Sequence, residues 1–179
     1  KDFSDELIKT IAKSKKVCEH IHLPIQAGSD KILQKMNRKY TAEHYLGLIK
    51  KIRSAFKKYK PDTLYSLTSD IIVGFPGETK KQFLESAEIM EKVKYDLVFF
   101  GQFSPRPETA AWKMKDDVSG IEKARRENFL NEILKKTALS NNKKYKNTTQ
   151  EVLVEKKLSP FGKGRAGEGF EKLNKIQNY

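Results

Sequence analysis

Three short segments carry side chains of the kind that recognise small ligands. Pro24-Ile25-Gln26-Ala27-Gly28-Ser29 offers an amide and a hydroxyl beside a glycine. Asp70 lies inside an apolar run that ends in Gly74-Phe75-Pro76-Gly77-Glu78. Gly101-Gln102-Phe103-Ser104-Pro105-Arg106 combines an amide, an aromatic ring, a hydroxyl and a guanidinium. An ionised carboxylate is costly to bury alone, so Asp70 needs a partner: a ligand hydroxyl, a base or backbone amides. A purely structural, hydrogen-bonded Asp satisfies the same requirement.

Other chemistry-bearing residues are weaker signals. His20 and His22 are two residues apart and so project from one face of a strand, as zinc-binding pairs do. No acidic cluster accompanies them, and structural or ligand-lining histidines are the reading adopted, with no metal site. Gly162, Gly164 and Gly167 match G-x-G-x-x-G but lie among lysines far from any strand–helix unit, so a loop or hairpin turn is read there. Cys18 has no Gly-rich oxyanion loop nearby and is expected to be a small buried hydrophobe. No G-x-S-x-G, P-loop or H-E-x-x-H occurs.

The elements that must position these residues alternate between strand and helix periods. Leu7, Ile8 and Ile11 mark a first helical face, and Val17 to Ile25 reads as a strand. Ser29-Asp30 and Thr41 are N-cap candidates for a short helix and for a longer one with Tyr45, Leu48, Ile49, Ile52 and Phe56 on one face. A near-continuous apolar strand from about Leu64 to Val73 suits a parallel sheet. A helix with Phe83, Ala87, Met90 and Val93 inward follows, then a third strand over Tyr95 to Phe103. Ile121 to about Lys146 reads as a long helix, with Ile121, Arg125, Phe129, Leu130, Ile133 and Leu134 inward and a basic outer face that includes Lys123 and Arg126. The class is α/β with βαβ units, and ligands of such folds bind beyond the carboxyl ends of the strands. Three strands are too few to close a barrel. After Asn147 the character changes: Gln150 to Lys157 reads as a strand, and the tail to Tyr179 is rich in Gly and Lys.

Composition narrows the field. The 179 residues carry 36 Lys+Arg against 23 Asp+Glu, a formal net charge of +13 that suits a polyanionic partner such as RNA, although the charge is spread over the chain. The longest apolar runs fall far short of the roughly 20 residues of a membrane span. Residues 1–5 show no signal-peptide pattern, and a single cysteine excludes an intramolecular disulfide framework, so a cytoplasmic protein is expected. Aromatic content of 10% and strong periodicities argue against disorder.

Four motifs then occur in order: His22-Leu23-Pro24-Ile25-Gln26-Ala27-Gly28-Ser29-Asp30, Met36-Asn37-Arg38-Lys39-Tyr40-Thr41, Asp70-Ile71-Ile72-Val73-Gly74-Phe75-Pro76-Gly77-Glu78-Thr79, and Ser104-Pro105-Arg106-Pro107-Glu108-Thr109-Ala110-Ala111. Together they resemble the methylthiotransferase family of radical SAM enzymes, most closely its MiaB branch, over about residues 3 to 155. The resemblance implies a partial (β/α)6 barrel followed by a small RNA-binding β-barrel, the TRAM domain. Residues 1–146 would be the C-terminal part of the barrel and 147–179 the start of the TRAM-like domain. The implied reaction inserts a methylthio group at C2 of N6-isopentenyladenosine next to the tRNA anticodon. A 4Fe–4S cluster would cleave S-adenosyl-L-methionine (SAM) to a 5′-deoxyadenosyl radical, an auxiliary cluster would provide sulfur and a second SAM the methyl group. The C-x3-C-x2-C cluster motif is absent from this chain, so no catalytic or metal-binding residue is assigned within it and the chain alone is expected to be inactive.

The resemblance also implies roles. Gln26 and Asp70 resemble residues that hydrogen-bond the SAM ribose, and Arg38 the one that grips the methionine carboxylate. Gly74, with Pro76 and Gly77, resembles a turn that admits backbone close to SAM. Phe103 and Ser104 resemble the adenine-lining segment, and Arg106 and Thr109 would face substrate. Two positions depart from the family pattern: Ala27 stands where Ser is usual, and Glu108, bulkier and acidic, where Gly is usual. A longer stretch from Lys57 to Tyr65 is read as a surface insertion. The expected partners are SAM and a tRNA anticodon stem-loop, with no membrane association and a monomeric state. Three rivals are carried: a sister branch acting on threonylcarbamoyladenosine in tRNA or on a ribosomal protein, a non-catalytic RNA-binding module, and a zinc hydrolase built on His20 and His22.

Overall fold

A computed structural model describes residues 3–149. The element order is α1 (Asp5–Lys13), β1 (His20–His22), α2 (Asp30–Lys35), α3 (Ala42–Tyr59), β2 (Ser66–Val73), α4 (Lys80–Val93), β3 (Leu97–Gln102), a 3-10 turn (Ala110–Lys113) and α5 (Gly120–Asn142). Among the described residues, those up to Lys146 form one compact unit. The expected strand at 150–157 and the glycines of 162–167 lie outside the described residues. No described helix is long and apolar enough to cross a membrane.

The three strands form one parallel sheet in the order β1-β2-β3. Leu67, Ile71 and Val73 of β2 are buried in a core shared with Tyr45, Ile49, Ile52 and Phe56 of α3, Phe83, Met90 and Val93 of α4, and Leu130 and Leu134 of α5. Within that core the Tyr95 hydroxyl donates to the Tyr45 hydroxyl at 2.8 Å, and burial pushes the Tyr45 phenol up to about 12. The other face of β2 and β3 is open in part: Leu97 and Phe99 are exposed, where a continuous apolar run had predicted a strand covered on both sides.

β1 is shorter than the predicted Val17–Ile25, and Val17 is exposed. Proline has no N–H for the ladder, so the regular pairing cannot continue through Pro24. Thr68 opposes His22, and Ile71 opposes Gln26. The β1 side thus advances four residues while β2 advances three, which is a bulge. The buried Ser69 hydroxyl satisfies the displaced backbone, accepting from the Ile25 N–H at 3.0 Å and donating to the Leu23 carbonyl at 2.9 Å. Gln26 closes the detour at φ 73°, donating its N–H to the Asp70 carbonyl and accepting from the Ile72 N–H, both at 2.9 Å.

Thr41 caps α3 as expected, and Thr79 and Ser119 cap α4 and α5, two caps not read from the sequence. Thr41, Thr79 and Ser119 accept from the N3 amides of α3, α4 and α5. Ser29 makes no side-chain cap, and Asp30 instead accepts from the Ala42 N–H at 2.7 Å, tying α2 to the start of α3. Cys18, expected to be buried, is exposed. The phase of α5 also differs from expectation. Ile121 and Arg125 are exposed and Phe129 is largely so, whereas Lys123 and Arg126, expected on the outer face, are buried with Leu130 and Leu134.

Candidate ligand site

The carboxyl ends of the strands surround a cavity of about 560 Å³. Its wall includes Gln26, Arg38, Phe103, Ser104, Arg106 and Thr109, six of the eight predicted site residues, contributed by three separate loops. The bulge delivers Gln26. Arg38 arrives through the way α2 ends: the Asn37 N–H donates to the Gln34 carbonyl and the Arg38 N–H to the Leu33 carbonyl, with Asn37 at φ 58°. This is a Schellman ending, which turns the chain sharply off the helix. Phe103 is set by its N–H on the Val73 carbonyl at 2.9 Å and by an edge-on contact with Phe75, ring centroids 5.1 Å apart. The Thr109 hydroxyl donates to the Arg106 carbonyl at 2.7 Å and holds the last loop in a tight turn.

Asp70 and Gly74 are not on the cavity wall. Asp70 is half-exposed on the open sheet face, two residues before the wall residue Ile72, with its Oδ2 3.5 Å from His22 Nε2. His20 Nε2 and His22 Nδ1 both meet the Thr68 hydroxyl, at 2.8 and 2.9 Å. The same-face placement of the two histidines holds, and the group they share is a hydroxyl. Among the described residues no three His, Cys, Asp or Glu side chains gather as metal ligands. Gly74 sits at φ 71°, and a Cβ there would lie 2.4 Å from Cγ of Lys123. Its conformation therefore admits the Lys123 stem against the turn.

The residues that brace the site include several the sequence reading missed. Lys123, buried on α5, donates to the Phe103 carbonyl at 3.0 Å and to Asp116 at 2.6 Å. Arg126, one helical turn later, donates through Nη1 to the Glu78 carbonyl at 3.0 Å and to Glu78 Oε2 at 2.7 Å. Glu78 also accepts from the Gly74 N–H at 2.7 Å. Burial pushes the Glu78 carboxyl up, against the lowering effect of these two donors. Two cations from α5 thus clamp the turn after β2 and the end of β3, the two segments that carry Phe75 and Phe103. A signal for them was present: stepping back from Leu134 and Leu130 by helical intervals lands on Arg126 and Lys123.

The wall carries three cations, Lys35, Arg38 and Arg106, and no carboxylate. With the Gln26 amide and the Phe75 and Phe103 rings, this donor set suits a ligand with an acidic group, hydroxyls and a flat ring, and the volume is that of a small-molecule site. The set fits SAM. It does not fit an iron–sulfur cluster, because the chain holds one cysteine.

Residues 1–90 match the radical SAM superfamily model. The chain belongs to the radical SAM superfamily. Among curated relatives it is similar to proteins named tRNA-2-methylthio-N(6)-dimethylallyladenosine synthase. The one from Endomicrobium trichonymphae is 44% identical over 94% of this chain and 39% of its own length. Those from Thermoanaerobacter pseudethanolicus and Bacillus cereus are 48% and 42% identical over 87% and 100% of this chain, and 32% and 34% of their own lengths. This chain therefore spans between about a third and two fifths of these relatives. Among solved structures, coproporphyrinogen III oxidase from Escherichia coli superposes with a TM-score of 0.61 at 16% identity, over 76% of this chain and 30% of that one, a likeness of fold.

Ala27 is fully buried in a small core with Ile32, Leu33, Phe75 and Phe103. Glu108 stands at φ 66°, the left-handed region that glycine adopts without cost.

Proposed function

We propose that the whole protein is a radical SAM tRNA methylthiotransferase that acts at C2 of N6-isopentenyladenosine next to the anticodon, and that this chain supplies much of its SAM-binding wall. The observation that carries the reading is the convergence of Gln26, Arg38, Phe103 and Ser104 on one cavity at the carboxyl end of a parallel sheet. The relatives named for this reaction favour it over the sister branches. A bare RNA-binding module would leave that cavity without a purpose.

In this reading residues 1–146 are the C-terminal part of a partial (β/α)6 barrel and 147–179 the start of a TRAM-like β domain. The cluster ligands lie elsewhere in the whole protein. Bound SAM, given one electron from a cluster held elsewhere in the whole protein, would supply the removal of the C2 hydrogen, and a second SAM the methyl group. This chain binds and orients. Arg38 holds the methionine carboxylate with its planar fork. Gln26 hydrogen-bonds the ribose. Asp70, two residues before the wall residue Ile72, would serve the ribose hydroxyls on leaving His22. Phe103 and the backbone at Ser104 cover the adenine, and Arg106 and Thr109 face the tRNA. Packing of Phe75 against Phe103 helps to exclude water from the reacting centre.

Mass spectrometry of nucleosides from tRNA of cells lacking the gene tests the proposal. Loss of 2-methylthio-N6-isopentenyladenosine with accumulation of its precursor is the expected result. Persistence of that nucleoside with loss of the threonylcarbamoyl analogue would assign the sister branch instead.

A further inference from the structure

Trp112 is the single tryptophan of the chain, and it is 52% exposed. Its neighbours explain why it points outward. Ala111 and Met114 pack against the small core beneath the cavity, and the Met114 N–H donates to the Ala111 carbonyl at 3.1 Å. A tight turn anchored at both ends leaves Trp112 and Lys113 on the outside. Among the described residues the indole has no hydrogen bond, ring or cation partner. Scattered exposed apolar residues are ordinary on protein surfaces. The placement of this one is not: Ala110 and Ala111, immediately before it, are part of the cavity wall.

The register between Trp112 and the wall is set by two consecutive turns. The Trp112 N–H donates to the Thr109 carbonyl at 3.0 Å, and the Thr109 hydroxyl donates to the Arg106 carbonyl. The cavity wall that Ala110 and Ala111 help to form also carries Lys35, Arg38 and Arg106, and Lys113 follows Trp112 in the chain; Lys35 Nζ donates to the Pro76 carbonyl at 3.5 Å. The nearby acids are largely committed: Asp116 to Lys123, and Asp117 to the Gly77 N–H at 2.7 Å. Glu108 is the exposed acid that stays in the loop. An unpartnered aromatic face that adjoins a cation-lined cavity is the combination that binds single-stranded nucleic acid, because every base offers a π-face and every linkage a phosphate.

We propose that Trp112 is a stacking platform for an unpaired RNA base at the mouth of the cavity, with Arg106 and Lys35 taking the adjoining phosphates. A base held there would position the strand so that its neighbour enters the cavity. Trp112 acts as a positioning residue, and the inference rests on the tRNA reading above.

The test uses the full-length protein, an anticodon stem-loop RNA with N6-isopentenyladenosine beside the anticodon, and a fully paired RNA of equal length. Fluorescence anisotropy gives the affinities of the parent, Trp112→Phe and Trp112→Ala. Trp112→Ala is expected to weaken stem-loop binding about 5- to 150-fold. Trp112→Phe should recover most of that loss, and paired RNA should be bound equally by all three. Unchanged SAM affinity by calorimetry reports that the fold is intact. If Trp112→Ala binds the stem-loop as the parent does, or loses paired RNA to the same extent, the stacking role is overturned. If that happens while the tRNA is still methylthiolated, the proposed function stands without it. If the parent protein itself binds no stem-loop, the proposed function and the inference fall together.

Discussion

Nη1 of Arg126 lies 2.7 Å from Oε2 of Glu78, forty-eight residues earlier in the chain, with the two side chains 6% and 1% exposed. The pair fastens α5 to the turn that leads from β2 into α4. A buried ion pair of this kind contributes little beyond what an apolar pair would, but removal of one partner strands a charge.

Arg126→Met should therefore destabilise the protein by about 3–5 kcal/mol, and the double change with Glu78→Met should restore part of the loss. Denaturant midpoints of the two variants and the parent check this. A cost below about 1 kcal/mol for the single change would mean that the clamp is dispensable.

Glu122 predicts a pH dependence. Hydrogen bonds from Arg125 and Arg126 hold its carboxyl down to about 2, against an ordinary value of about 4.3. A lowered folded-state pKa gives stability that is present above the unfolded value and lost as pH falls towards the folded one. The stability gap between the parent and Glu122→Gln should thus be full above about pH 4.3 and gone near pH 2. Glu78 runs the opposite way: raised by burial, its contribution is full below the unfolded value and lost as pH rises through the folded one. Thermal melts across this range, with circular dichroism as the readout, decide the sign for Glu122.

Two glycines should respond in opposite ways. A Cβ on Gly28 would lie 2.4 Å from the Glu85 carbonyl oxygen and the Ser86 amide nitrogen, both of them backbone atoms. Gly28→Ala should cost at least about 1–3 kcal/mol of stability. Gly101 has no atom within 4 Å of its Cβ position and lies on the cavity wall. Gly101→Leu should leave the melting temperature nearly unchanged and weaken SAM by at least ~10-fold. Normal SAM affinity in that variant would place the ligand elsewhere.

Arg38→Met in the full-length protein should weaken SAM by about 1.5–3 kcal/mol, the scale of a hydrogen bond to a charged group. Asp70→Ala should cost about 1–3 kcal/mol. Isothermal titration separates the two. If only Arg38 matters, Asp70 belongs to its His22 partner and not to the ribose.

Hydrogen-bond counting assigns the histidine tautomers. The Thr68 hydroxyl has one proton to offer two imidazoles, and His22 Nε2 faces the Asp70 carboxylate. With His22 neutral, a proton on Nε2 is the favourable arrangement, so its Nδ1 accepts from Thr68 and His20 Nε2 donates to it. Nitrogen-15 chemical shifts at neutral pH should show Nε2–H on both rings. Nδ1–H on His22 would reverse the chain.

Much of this was legible beforehand, and the exceptions share a cause. α3 and α4 followed from apolar periodicity because each buries the face expected of it, and β2 and β3 from near-continuous apolar runs, although β3 leaves Leu97 and Phe99 exposed. Gln26, Arg38, Phe103, Ser104, Arg106 and Thr109 were found by motif, and the cavity gathers them. The phase of α5 was misread because Lys123 and Arg126 point inward to carbonyls and carboxylates contributed by distant loops, partners that helical periodicity cannot reveal. Asp70 was found from its carboxylate inside an apolar run and Gly74 by motif, and each is occupied by a neighbour, His22 or Lys123, that only the tertiary structure supplies. The exposure of Cys18 follows from a β1 that starts later than its apolar pattern suggests.

The bulge between His22 and Gln26 constrains the number of residues as much as their kind. Four steps on one strand are matched to three on the other, and Ser69 and the Asp70–Ile72 backbone are spaced to receive that count. Side chains in this stretch can be exchanged one for one and still find the same slots. Deletion of one residue would match three steps to three and abolish the bulge, and with it the detour whose backbone Ser69 satisfies and the left-handed turn at Gln26, while leaving the composition almost untouched. Leu23-Pro24-Ile25-Gln26 is thus a ruler as well as a motif, and length variation there should be far rarer than substitution.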